Sequence, residues 1–144
     1  MTDAATTTSE EETIASGERL GRTLQPGMVV LLYGDLGAGK TAFVRGLAIG
    51  VGATADDVSS PTFTIVQEYP GLGSTLYHVD LYRLEPAEID DLGLEELVAG
   101  DGIVAIEWAE RWRGRPSGSG VIDVSITDAG EDRRIVRVKF NDEC

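Results

Sequence analysis

The longest uninterrupted apolar run in the first half of the chain is Met28 to Leu32, a β-favouring stretch without a polar break, as expected of a central strand covered on both faces. Two further apolar runs end in a carboxylate: Leu76-Tyr77-His78-Val79 is closed by Asp80, and Gly102-Ile103-Val104-Ala105-Ile106 by Glu107. Helical spacing takes over elsewhere. Ile14, Gly17, Leu20, Gly21 and Leu24 form one apolar face, opened by Ser9-Glu10-Glu11-Glu12 and ended by Gln25-Pro26-Gly27. The opening reads as a capping box, with Ser9 capping and Glu12 reaching back to the cap's own amide. Ala42 to Val51 is a second helix-compatible segment, stopped by Gly50 and Gly52. A third, opened by Pro86, spaces Ile89, Leu92, Leu94 and Leu97 among six carboxylates from Glu85 to Glu96. Thr64 to Tyr69 and Leu76 to Asp80 flank Pro70, Gly71, Gly73 and Ser74 and read as a hairpin. Val121 to Ile126 and Ile135 to Phe140 alternate with period two, with Arg133 and Arg134 in the turn between them, while Met1 to Thr8, rich in Thr and Ala, is expected to fray.

Between the central strand and the second helix lies Gly34-Asp35-Leu36-Gly37-Ala38-Gly39-Lys40-Thr41, which fits the P-loop pattern G-x-x-x-x-G-K-[ST] in the strand-before, helix-after context it requires. Glycines let successive backbone N–H groups converge on phosphate oxygens, and the following helix aims its free amides and positive dipole end at the same anion. Lys40 adds a mobile charge, and the Thr41 hydroxyl can ligate Mg²⁺. With this motif the pattern predicts an α/β chain: a P-loop NTPase-like three-layer fold whose mixed, mostly parallel central sheet has an antiparallel portion and carries helices on both faces. Asp80 and Glu107 both fall at the strand edge that should hold the P-loop, so two carboxylates compete for the magnesium role and the sequence does not rank them. His78 reads as a packed or hydrogen-bonded histidine. Ser60-Pro61-Thr62 is a stiff hydroxyl-rich loop, either a sensor of the γ-phosphate or an ordinary turn into a strand. Trp108, Arg111 and Trp112 follow the last core strand, close to the expected site.

Composition narrows the ligand and the partners. The 144 residues suit one domain, and a net charge of −13 repels phosphate backbones and anionic membranes, so RNA should be reached only through a partner. One cysteine, Cys144, cannot form an internal disulfide, which suits a reducing cytoplasm. The polar, acidic start is expected to be neither leader nor anchor, and no apolar run approaches ~18 residues. No Asn-Lys-x-Asp segment follows Glu107 to read guanine, so ATP is expected over GTP; no long Arg-rich insertion suggests a small-molecule kinase.

Five segments together, Gly34-Asp-Leu-Gly-Ala-Gly-Lys-Thr41, Ser60-Pro-Thr-Phe-Thr64, His78-Val-Asp-Leu-Tyr-Arg83, Leu92-Gly-Leu94 and Ile106-Glu-Trp108, resemble in order and spacing the TsaE (YjeE) family of small bacterial P-loop ATPases. The resemblance implies an ATPase needed to make threonylcarbamoyladenosine at position 37 of transfer RNAs. It implies work with the transferase TsaD and its scaffold TsaB, ATP binding and hydrolysis resetting that pair between turnovers. Carried over by position, it implies phosphate binding by Gly37, Ala38, Gly39, Lys40, Thr41 and Ala42, and magnesium on Thr41 and Glu107. Asp80 would lie beside the nucleotide and support hydrolysis, Trp108 would neighbour the site, and Ser60 and Thr62 would form a switch-like loop. Ser9 and Arg133 match positions that approach the nucleotide. Lys40, Asp80, Glu107 and Thr62 are thus the expected catalytic set, acting on water attack at the γ-phosphate of MgATP. With no arginine finger recognisable in the chain, a partner should complete the site and turnover alone should be slow. The alternative is a nucleotide-gated binding module in which ATP binding, rather than hydrolysis, regulates the partner.

Overall fold

A computed structural model describes residues 2–34, 39–53 and 66–141. The strands, in chain order, are β1 (Thr2–Thr7), β2 (Val29–Tyr33), β3 (Val66–Pro70), β4 (Thr75–Asp80), β5 (Ile103–Glu107), β6 (Val121–Gly130) and β7 (Arg133–Phe140). They form one seven-stranded sheet in the order β1-β7-β6-β2-β5-β4-β3. The centre is parallel, β4 on β5, β5 on β2 and β2 on β6, while β3, β7 and β1 add antiparallel pairings at the two flanks. The mixed α/β sheet expected from the pattern is therefore present.

Alternation along the strands divides the core between the two faces. Val30 and Leu32 of β2 face α1 (Glu10–Gly21) and α2 (Lys40–Gly50), packing with Leu20, Phe43, Val44, Leu47, Leu76 and Ala105. Val29 and Leu31 face the other way, onto Val79, Leu81, Val104, Ile106 and Trp112 and onto Ile89 of α3 (Pro86–Asp90) and Leu94 of α4 (Leu94–Val98). The two long helices meet backbone to backbone. A Cβ on Gly46 would lie 2.0 Å from the Ile14 carbonyl oxygen, and one on Gly17 2.2 Å from that of Phe43, so nothing larger than hydrogen fits. This contact fixes the start of α1 beside the start of α2.

Four expectations are corrected. Thr2–Thr7 does not fray: it pairs with β7 from Thr2↔Lys139 to Thr7↔Arg134, and the buried Thr7 Oγ1 lies 2.8 Å from Thr13 Oγ1. The physical reason is that β7 would otherwise present an unpaired edge to a β-compatible Thr run. Ser9 does cap α1, accepting from the Glu12 N–H at 3.1 Å, but the Glu12 carboxylate reaches one residue further than a capping box requires, to the Thr8 N–H at 2.7 Å and its hydroxyl at 2.9 Å. The helix opened by Pro86 breaks in two: after Asp90 the Asp91 and Leu92 amides bond three residues back, to Glu88 and Ile89, and Gly93, left-handed at φ 74°, redirects the chain into α4. Finally, Glu131 and Asp132 make the turn between β6 and β7, so Arg133 and Arg134 lie on β7 itself.

Candidate functional site

The carboxyl ends of β2, β5 and β4 lie side by side, with Leu32 opposite Glu107 and Glu107 opposite Asp80. Since Leu32, Ala105 and Leu76 face α1 and α2, strand parity puts Glu107, His78 and Asp80 on that same side, under the start of α2. Gly39 immediately precedes α2 in a left-handed conformation, φ 105°, which glycine adopts without strain, and among the described residues no side chain caps the helix's first amides. Those amides and the helix dipole together can receive an anion.

Glu107 is 3% exposed. The Thr41 hydroxyl donates to it, 3.1 Å from Oε2 and 3.3 Å from Oε1, and His78 Nε2 lies 2.5 Å from Oε2. Asp80 is half-buried, and its Oδ1 accepts from the Tyr82 N–H at 2.9 Å. The two carboxylates that the sequence left unranked thus differ: Glu107 touches the P-loop threonine, and Asp80 braces the loop after its strand. Lys40 is 4% exposed, donates from Nζ to the Gly34 carbonyl at 2.6 Å, and places Nζ 4.2 Å from the centre of the Trp108 ring. Trp108 is itself left-handed at φ 60°, an uncommon conformation for an aromatic residue, and its ring packs against Tyr82 at 4.9 Å. Trp112, by contrast, is a core residue at 1% exposure.

A cavity of about 430 Å³ opens beside Gly39, walled by Ser9, the cap of α1, Thr13 of α1, Ala42 of α2, and Asp132 and Arg134. Ser9 and Ala42, both expected near the nucleotide, line this cavity. Arg133 does not: it is exposed and donates to the Gly130 carbonyl at 3.4 Å, whereas Arg134 lines the cavity and donates to Asp128 at 3.3 Å. A signal for this lay in the alternation, because Arg134 shares parity with Val136 and Val138, which pack towards α1. At the cavity rim the N–H and hydroxyl of Thr8 hold the Glu12 carboxyl below its ordinary value. Gly37, Ala38, Ser60 and Thr62 lie outside the described residues.

The donor set fits a hard divalent cation. A hydroxyl and a carboxylate at one point suit Mg²⁺, which keeps most of its waters, and among the described residues no cluster of three or more His, Cys, Asp or Glu side chains offers an all-protein cage. Among them, too, no helix is long and apolar enough to cross a membrane.

Comparison with known proteins identifies a family and a similar fold. The family described as "Threonylcarbamoyl adenosine biosynthesis protein TsaE" matches residues 7–136. Similar relatives include the tRNA threonylcarbamoyladenosine biosynthesis protein TsaE of Nostoc sp., 48% identical over 129 residues and covering 87% of this chain and 78% of that one. The protein of the same description from Treponema pallidum is 48% identical over 104 residues, covering 72% and 76%. Among solved structures, Bacillus subtilis YdiB superposes with a TM-score of 0.76 at 33% identity, covering 98% of this chain and 86% of that one.

Proposed function

This chain belongs to the TsaE family of tRNA threonylcarbamoyladenosine biosynthesis, and from that premise we propose that it binds and hydrolyses MgATP to drive or reset a TsaB–TsaD transferase complex in the cytoplasm. The observation that carries the reading is the buried Glu107 carboxylate hydrogen-bonded to the Thr41 hydroxyl beside Lys40, under an uncapped helix start.

Each residue then has a task. The α2 amides and Lys40 bind the phosphates, and Lys40 exchanges its contact with the Gly34 carbonyl for a phosphate oxygen. Thr41 and Glu107 would hold magnesium, which when bound would supply charge neutralisation at the phosphate oxygens. Asp80, one strand over, orients the attacking water and accepts its proton as the bond to the leaving phosphate oxygen breaks. Trp108 and Tyr82 shield this chemistry from bulk water. Ser9, Thr13 and Arg134 border the space for the rest of the nucleotide. With a net charge of −13, transfer RNA is met only through the partner proteins.

The test is hydrolysis of ATP by the protein alone and with TsaB and TsaD, with GTP as competitor. The expected result is slow turnover that rises when the pair is added. Binding without hydrolysis in both conditions would assign the chain to nucleotide gating, and a preference for GTP would overturn the reading.

A further inference from the structure

His78 sits on β4 two residues before Asp80, fully buried, and its register partner Ala105 lies two residues before Glu107. Its ring therefore approaches the Glu107 side chain diagonally across the sheet, which is how Nε2 comes within 2.5 Å of Oε2. The other ring nitrogen, Nδ1, has no hydrogen-bond partner among the described residues. An N–H on Nε2 lets the ring donate to the carboxylate and leaves Nδ1 as a bare lone pair, which is less costly to bury than an orphaned N–H. So the ring's hydrogen-bonding capacity in the described structure is directed at a single atom. Tyr69, also buried, packs 6.3 Å from the imidazole and holds it from behind.

Glu107 has three side-chain torsions to fix and two anchors. One is the Thr41 hydroxyl on α2; the other, His78, belongs to the sheet. Metal-binding side chains are commonly aimed by such a second partner, and loss of that partner weakens metal binding about 10- to 100-fold.

We propose that His78 is a positioning residue that aims the Glu107 carboxylate at the metal without touching metal or nucleotide itself. The proposal rests on the magnesium reading of Thr41 and Glu107. It divides binding into two parts: nucleotide affinity without metal, carried by α2 and Lys40, should not depend on His78, whereas metal affinity should.

The experiment measures Mn²⁺ binding by electron paramagnetic resonance with saturating ADP, and ADP binding by calorimetry in EDTA. His78→Leu is expected to weaken Mn²⁺ binding about 10- to 100-fold and to change metal-free ADP affinity by less than about twofold. His78→Gln, whose amide N–H falls near Nε2, should recover Mn²⁺ affinity to within about threefold of wild type, while His78→Asn, whose amide falls near Nδ1, should resemble Leu. If His78→Leu does not fold, the Gln and Asn pair decides. Equal losses with and without metal, or Gln and Asn behaving alike, would overturn the positioning role while the wild-type Mn²⁺ signal stands. Absence of Mn²⁺ binding by the wild-type protein with ADP would overturn the magnesium reading, and this proposal with it.

Discussion

The candidate cleft has two walls of unlike construction. In the inner wall Lys40, His78 and Glu107 are buried and Thr41 is half-buried, and its polar contacts bridge the P-loop helix and two strands of the parallel centre. The outer wall, Thr8, Ser9, Glu12 and Arg134, is more exposed and is held by short-range bonds: Ser9 to the Glu12 amide, Glu12 to Thr8, Arg134 to Asp128. A carboxylate on the inner wall interacts in a low dielectric with its partners fixed in advance; one on the outer wall competes with water. Under the proposed function, chemistry falls to the first environment and adjustable grip to the second.

Substitutions should separate the walls. The largest effect is expected for Glu107→Ala: hydrolysis should fall about 10²- to 10³-fold, the scale of deleting one preorganised charge-stabilising group. It should also lower unfolding free energy by about 1–3 kcal/mol, because His78 Nε2 is left buried without its acceptor. Asp80→Asn, one strand over from Glu107 and half-buried, sharpens the contrast: turnover should drop while calorimetry still reports nucleotide binding. On the outer wall, Arg134→Ala should weaken ADP binding about tenfold, the scale of one hydrogen bond to a charged group, and Arg133→Ala should leave it within about twofold. Ser9→Ala should cost about 1 kcal/mol in urea unfolding through loss of the α1 cap. The smallest effect is that of pH on Glu12. Its folded value lies below the ordinary 4.5, so the stability it adds is fully present above pH 4.5 and is lost as pH falls through the lowered folded value. The wild-type stability advantage over Glu12→Gln should accordingly be constant near neutrality and vanish in acid.

The inner wall was legible in sequence because its determinants are local: an apolar run ending in a carboxylate states both a strand and the residue at its end, and the P-loop states the turn. What the sequence could not state was which of Asp80 and Glu107 meets Thr41, since that depends on β5 lying directly beside β2. Thr2–Thr7 misled for a related reason: a polar run has no periodicity to declare a strand that a distant edge recruits. The choice of Arg134 over Arg133 was available from parity but hidden by an expected turn that lies two residues earlier. Leu92-Gly93-Leu94 kept helical spacing across a break, because spacing does not register a single left-handed glycine.

The pairing of β1 with β7 also sets a timetable. β1 lies far ahead of β7 in the chain and can pair with it only after the chain has been made through Lys139, since Thr2 and Lys139 are neighbours in the sheet. Until then β1 has no register, and Thr7 cannot bring its hydroxyl to Thr13 with the strand in place. Closing so long a loop early is entropically costly, so the edge is expected to zip last, after the parallel centre has formed around β2. A newly made molecule would therefore possess its inner wall before its outer one.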